Sequence, residues 1–353
     1  MQDGKRVVVE RFCDSPLEAI DSAMKLEPMP APDTSTLGPR DVVVAIRSAQ
    51  VGWVDLLMTS GQYQHLPKPP YVPGLEWAGV VAWKGKDVAG LAEGDGVLVD
   101  GFLAGPRSLG EYQKYGGFAS YGVAPAEAVM RIPGKLSFDQ ACCLLGNYET
   151  ATHALVLRGN VKAGETVLIL GASGATGLAA VHVAKLLGAT VIAAGRSEAK
   201  LAVVKAEGAD HVVTAGKMRD AIKAITGGKG VDVVYDGVGG EASLEAMRCV
   251  KFGARFLVVG WASTPFVAKQ GSPNQLPTNL MMMKGLDVLG CPTVIATVMN
   301  PAIRPARLER VMKWAESGAL VPHVSKAWPL EEWKDAMRAK WAGEIVGGGV
   351  LRP

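Results

Sequence analysis

Aromatic side chains are scarce in this chain, at 6% of residues, and its five cysteines follow no pattern. Cys13, Cys142, Cys143, Cys249 and Cys291 contain no C-x-x-C pair, which argues against zinc ribbons and redox dithiols. Cys142 and Cys143 are adjacent, where a disulfide would be strained, and an odd, unpatterned set suits a reducing compartment. No apolar run reaches the length that crosses a bilayer, and no apolar core of signal-peptide length follows the N-terminus. The expectation is a cytoplasmic protein with no membrane partner. An excess of charge is lacking too. A formal net charge of +3 is too small to argue for nucleic acid. The 353 residues suffice for two domains with a sizeable core.

What the chain has in quantity is glycine, 43 residues without a collagen-like period. The most informative of them lie in Thr166-Val-Leu-Ile-Leu-Gly171-Ala-Ser173-Gly174-Ala175-Thr176-Gly177-Leu178. An apolar strand runs into a glycine-rich turn, a helical stretch follows, and a second apolar strand runs from Thr190 to Ala194. Glycines let the backbone turn sharply and approach a pyrophosphate, and a helix N-terminus offers free N–H groups to it. The spacing is G-x-x-G-x-x-G rather than G-x-G-x-x-G, so the flanking strand and helix carry the assignment as a dinucleotide site.

The first third of the chain reads as β-rich, with strands expected at Lys5–Arg11, Asp41–Ala49, Gly79–Trp83 and Gly96–Asp100. Pro28–Pro39 reads as a proline-punctuated connection and Phe102–Gly117 as a loop. From about Ser137 the pattern changes. Apolar strands at Val167–Leu170, Val191–Ala194, His211–Thr214, Val231–Tyr235, Arg255–Val259 and Leu286–Gly290 alternate with helical stretches. Strands and helices alternating this way give an α/β domain with a doubly wound, six-stranded parallel sheet. Two helical stretches, Pro305–Ser317 and Leu330–Lys340, and an apolar tail, Ile345–Leu351, then pack against the first domain. The expected division is residues 137–300 for cofactor binding, and residues 1–136 with 301–353 for the β-rich substrate domain.

An NAD site presents Asp or Glu at the end of its second strand, to hold the ribose 2′-OH. Here that strand ends Ala194-Gly195-Arg196-Ser197, with Lys200 following. A guanidinium suits a 2′-phosphate in charge and in its forked donors, so NADPH is expected over NADH.

The chain resembles the medium-chain dehydrogenase/reductase superfamily, in its zinc-independent branch of quinone oxidoreductases and enoyl reductases. Asp55-Leu-Leu-Met-Thr59-Ser-Gly61-Gln-Tyr63 resembles D-x-x-x-R-x-G-x-Y, with Thr59 in the place of the Arg. Pro73-Gly74-Leu75-Glu76-Trp-Ala-Gly79-Val-Val resembles P-G-x-E-x-A-G-x-V. Gly117-Phe-Ala-Ser-Tyr121, Tyr235-Asp236-Gly-Val238-Gly239-Gly240 and Gly253-Ala-Arg-Phe-Leu-Val-Val-Gly260 follow in order. Asn279-Leu-Met-Met-Met-Lys284 is similar to the N-L-L-L-K stretch of quinone oxidoreductase-like members. The resemblance implies a Rossmann cofactor domain, a GroES-like catalytic domain, and a homodimer paired through the edge of the cofactor sheet at Leu286–Gly290.

Zinc-dependent members carry a Cys where this chain has Gly52 and a His where it has Leu75, and neither residue can bind a metal. No metal is therefore expected. Without a Lewis acid to hold an alkoxide, the expected reaction is hydride transfer from NADPH to a quinone or an α,β-unsaturated carbonyl. A reductase of enoyl-CoA thioesters and a non-enzymatic NADPH-binding protein are the alternatives. By resemblance, the nicotinamide lies between the domains. Asn147, Thr150, Val238, Gly239, Gly240, Gly260, Trp261 and Ala262 would line it, Ser173 to Gly177 would meet the pyrophosphate, and Arg196, Ser197 and Lys200 the adenosine end. Candidates for catalysis are Tyr63, which matches the G-x-Y of the motif, Tyr148, Asp55, and Trp53, whose indole would stack on a flat substrate.

Overall fold

Two short strands, β1 (Gly4–Val9) and β2 (Met24–Met29), open the chain as an antiparallel pair in a computed structural model that describes residues 1–108, 110–264 and 274–353. The helix between them, Pro16–Ser22, is started by Ser15, whose hydroxyl accepts from the Glu18 N–H at 3.2 Å. Neither β2 nor this helix is legible in the sequence. β2 reads Met-Lys-Leu-Glu-Pro-Met, poor in β-formers, and forms because β1 pairs with it along its whole length.

β3 (Asp41–Gln50) is the spine of the first unit. Val42, Val43, Val44, Ile46 and Ala49 bury both of its faces. β4 (Trp77–Lys84), β5 (Gly96–Val99), β6 (Tyr121–Pro125) and β7 (Val129–Arg131) join it in antiparallel pairs. The chain then builds the second unit from β8 (Thr166–Leu170), β9 (Thr190–Gly195), β10 (His211–Thr214), β11 (Val231–Asp236), β12 (Val250–Val258) and β13 (Asp287–Gly290). It returns with β14 (Val324–Pro329) and β15 (Gly348–Arg352), which extend the first sheet to the order β14-β15-β3-β4-β5-β7, with β6 also on β3. β14 has two exposed lysine-bearing and serine-bearing positions in its middle and was not expected as a strand.

In the second unit every pairing is parallel and the order is β10-β9-β8-β11-β12-β13. Renumbered from β8, that is the 3-2-1-4-5-6 order of the Rossmann sheet, with the order reversing between β8 and β11. Leu168, Ile192, Val234 and Phe256 form its core. No helix among the described residues is long and apolar enough to cross a membrane.

The unit boundaries differ from the sequence expectation. The first unit is Met1–Gly146 with Ala315–Pro353, and the second is Asn147–Trp314. Residues 137–146 stay with the first unit because a short helix, Phe138–Ala141, capped by Ser137 and Gln140, packs on the first sheet, with Cys142 Sγ 3.4 Å from Ser48 Oγ. Residues 301–314 stay with the second because Arg304 and Arg307 both clasp the buried Glu149, each at 2.9 Å. Arg307 is itself buried and donates to Thr297 Oγ1 at 2.7 Å, while His153 Nδ1 faces it at 3.4 Å.

That cluster fixes two outcomes. Arg307→Met leaves the Glu149 carboxylate short of a buried partner and should cost about 3 kcal/mol, whereas adding Glu149→Leu should recover most of it; denaturant titration reads both. Burial, reinforced by the Arg307 charge, lowers His153 from 6.5 to about 4. The unfolded chain therefore binds this proton more readily than the fold. The histidine's contribution is full above pH 6.5 and falls as pH drops through about 4. His153→Gln should flatten that part of the thermal-stability profile.

Candidate active site

The dinucleotide turn is built by steric close approach. Gly171, which ends β8's run, has φ +64°. A Cβ at Gly177 would lie 2.2 Å from the Gly171 carbonyl oxygen, so the helix Ala175–Leu186 can sit on the turn only with glycine there. Gly174 is its N-cap and no side chain caps it. The first-turn N–H groups of this helix thus keep no side-chain acceptor, which fits a pyrophosphate. Ser173, Ala175 and Thr176 are partly exposed around the turn. Thr176 Oγ1 donates to Asn147 Oδ1 at 3.3 Å, which brings Asn147 to the same place; Thr150 follows on the helix Leu145–Thr152.

A second wall comes from the loops after β11 and β12. Asp236 ends β11 buried, accepting from the N–H groups of Val238 at 2.9 Å and Gly239 at 3.0 Å and from the Ser243 hydroxyl. The N–H groups of Gly260 and Ala262 donate to the carbonyls of Asp236 and Gly237, at 3.2 Å each, so the two loops are laced together. A Cβ on Gly239 would lie 3.1 Å from Trp261 Cα, and one on Gly171 would lie 2.8 Å from Val238. The structure therefore gathers Gly171, Val238, Gly239, Gly240, Gly260, Trp261 and Ala262 at the carboxyl ends of β8, β11 and β12, the switch point of such a sheet. Asp236 holds this loop and was not singled out from the sequence. Its signal was the turn Asp-Gly-Val-Gly-Gly, where only a short carboxylate can reach the following N–H groups.

At the end of β9, Arg196 is exposed and Lys200 partly so. Ser197 caps the helix Glu198–Ala206, its Oγ accepting from the Lys200 N–H at 3.4 Å.

In the first unit the same kind of device recurs. Asp55 lies buried in the first turn of the helix Trp53–Thr59. Its Oδ1 accepts from Gly74 and Leu75 and its Oδ2 from Gly52, all at 3.0 Å. Gly74 makes the turn with φ +99°. Burial pushes the Asp55 carboxyl up to about 6 against these three N–H donors. With both oxygens engaged, Asp55 is a clamp joining two segments, not the free acid expected among the catalytic candidates.

Tyr63 lies within the field of the Arg107 guanidinium and meets the His65 ring edge-on at 6.3 Å. Burial raises its phenol. Trp53 stacks on Trp341, the rings 5.1 Å apart and 4° from parallel. One face of its indole is therefore taken by the protein itself, where the sequence led us to expect a substrate. Tyr148 is buried in the second unit. Its hydroxyl pairs with His182 Nδ1 at 2.8 Å, and His182 Nε2 faces Glu207 at 3.2 Å. This network fills the interior beside the helix Ala175–Leu186, so Tyr148 is committed there. The five cysteines are buried and none forms a disulfide.

The alcohol dehydrogenase GroES-like domain model matches residues 38–134, and the zinc-binding dehydrogenase model matches residues 175–317. A quinone oxidoreductase-like protein 2 homolog of Nematostella vectensis is 32% identical over 321 residues, covering 89% of this chain and 83% of that protein. The structure of a probable oxidoreductase from Mycobacterium abscessus superposes with a TM-score of 0.80 at 30% identity, covering 99% of each chain. That of an NAD-dependent alcohol dehydrogenase gives a TM-score of 0.80 at 26% identity, again covering 99% of each. A GroES-like unit with a Rossmann sheet whose switch point is lined by glycine turns is the build of a nicotinamide-dependent oxidoreductase. The chain belongs to the medium-chain dehydrogenase/reductase superfamily, among its quinone oxidoreductase-like members.

Removing the Asp55 clamp strands three N–H groups. Asp55→Ala should lower stability by about 2–4 kcal/mol, seen as an earlier thermal transition, while Asp55→Asn, which keeps one acceptor, should lose less.

Proposed function

We propose that this protein is a zinc-independent reductase that passes hydride from NADPH to a quinone or an α,β-unsaturated carbonyl. The observation that carries the reading is the state of the two positions where zinc-dependent members have ligands. Gly52 and Leu75 offer no donor side chain, and both turn their backbone N–H groups onto Asp55. Such a site suits a substrate whose own conjugation spreads the charge, so that the protein supplies hydrogen bonds and position. The dinucleotide supplies the hydride when bound. Gly171 to Gly177 would take its pyrophosphate, and Val238 to Gly240 with Gly260 to Ala262 would flank its nicotinamide.

Preference for NADPH rests on Arg196, Ser197 and Lys200 at the end of β9. The nearest carboxylate there, Glu198, already belongs to the following helix. Arg196→Ala and Lys200→Ala should each weaken NADPH binding about tenfold and leave NADH binding nearly unchanged, measured by calorimetry. Mixing the protein with NADPH and a panel of quinones and enones tests the reaction. Tight NADPH binding with no loss of reduced-nicotinamide absorbance on any acceptor would make it a binding protein instead.

The same reading includes a homodimer through the edge strand β13. Beside that edge Phe252, Met282 and Met283 are 79%, 75% and 67% exposed. Met282→Glu with Met283→Glu should then give a monomer in light scattering. An unchanged mass in both forms would refute that pairing.

A further inference from the structure

The first unit holds a cavity of about 200 Å³ that shares no residue with the dinucleotide turn or the Asp55 clamp. Arg6, Lys114, Tyr115 and Tyr121 line it together with the buried Met29, Val72 and Ala119. Its walls come from β1, β2, the start of β6 and the end of the loop that the sequence marks at Phe102–Gly117, a segment the reductase reading leaves unused. The walls are held in place. Val7 N–H donates to the Phe118 carbonyl and Val9 N–H to the Tyr71 carbonyl, both at 2.8 Å. The Tyr112 hydroxyl donates to Asp41 of β3, which ties the short helical turn Glu111–Lys114 to the sheet. A Cβ on Gly116 would lie 2.0 Å from the Val72 carbonyl oxygen, so the loop lies directly against that segment. The two cations of the lining are differently placed. Arg6 turns Nε and Nη2 onto one oxygen of Glu27, at 2.9 and 2.8 Å, which leaves Nη1 with no acceptor among the described residues. Lys114 has no carboxylate partner among the described residues, and its ammonium lies 5.0 Å over the Tyr115 ring. The cavity thus joins a net positive charge, two phenol rings and an apolar floor.

We infer that this cavity binds a single-ring aromatic carboxylate, its ring against Tyr115 and Tyr121 and its carboxylate on Lys114 and Arg6. Size selects one ring, since an apolar cavity of about 150 Å³ holds benzene and the space left over takes one carboxylate. The two phenol rings favour a flat guest over an alkyl chain of the same volume. Charge selects the anion, because ammonium and guanidinium N–H groups bond a carboxylate about twice as strongly as they bond a neutral acceptor. A small anion without a ring satisfies the cations and leaves the rings and floor in water. A neutral ring does the opposite. The site is one of recognition, and no bond is made or broken in it.

Calorimetric titration of the protein without NADPH tests the site, with benzoate, benzamide and acetate as probes. Benzoate should bind about tenfold more tightly than either of the others. Lys114→Gln should erase most of that preference, and Lys114→Arg, which keeps the charge, should retain it. Lys114 is exposed, so neither change disturbs the core. Ala119→Leu, which fills the cavity from its buried side, should abolish benzoate binding in protein that keeps its thermal transition. Saturating NADPH should leave the affinity for benzoate unchanged, because the two sites share no residue. Displacement of benzoate by NADPH would place it in the dinucleotide site and overturn the inference. Equal binding of benzoate and benzamide, a preference undiminished by Lys114→Gln, or no heat from benzoate up to about 10 mM would overturn it as well.

Discussion

Both units depend on a buried aspartate that accepts backbone N–H groups from a loop. A carboxylate out of water is costly unless every oxygen is satisfied, and loop N–H groups out of water are costly unless they find an acceptor. Asp55 and Asp236 settle the two demands together. Asp236 sits at the last residue of β11, so the loop of residues 237–240 inherits the rigidity of the sheet. Asp55 sits in a helix, so the turn at Gly74 and Leu75 and the helix start at Gly52 are fixed to one atom group. In each case the loop residues are positioned through their backbone, which leaves side-chain identity there free to vary.

The dinucleotide turn follows the same economy. Its specificity for a pyrophosphate comes from what is missing: no Cβ at Gly177 against the Gly171 carbonyl, and no side-chain cap at Gly174. In the proposed reading, side chains enter the choice of cofactor only at the far end, where Arg196 and Lys200 stand beyond β9. The choice between two dinucleotides is therefore local and electrostatic, whereas the capacity to bind either is a property of the whole β8–helix–β9 unit.

The parallel sheet was legible almost residue by residue, because buried parallel strands read as apolar runs and the helices between them have caps and glycine stops. His211–Thr214 lies where the pattern put it, and the helix Ala175–Leu186 follows the glycine turn as expected. β2 and β14 were not legible, since their strand character comes from partners distant in sequence: β1 for one and β15 for the other. The glycine turn after β8 and the glycine-rich loop after β11 were legible as motifs. The first unit's site was less so. Asp55 and Tyr63 stand in a motif, but nothing local says that Asp55's oxygens are both consumed, that Trp53 meets Trp341, or that the Arg107 charge reaches Tyr63. Apart from the bond between Gly52 and Asp55, those contacts join residues from 19 to 288 positions apart, where no periodicity operates.

The clamp at Asp55 belongs together with the donor-free positions Gly52 and Leu75. Both residues are set in place by giving their backbone N–H groups to one carboxylate, so neither side chain is needed to hold the loop. Burial pushes that carboxyl up to about 6, against the three N–H groups that favour its ionised form. Above that pH the ionised carboxylate accepts all three N–H groups. Below it, protonation relieves the cost of the buried charge while weakening the hydrogen bonds that set Gly52, Gly74 and Leu75 in place. The two effects oppose each other, so the packing of this turn rests on a balance that shifts within about one pH unit of the carboxyl's own value.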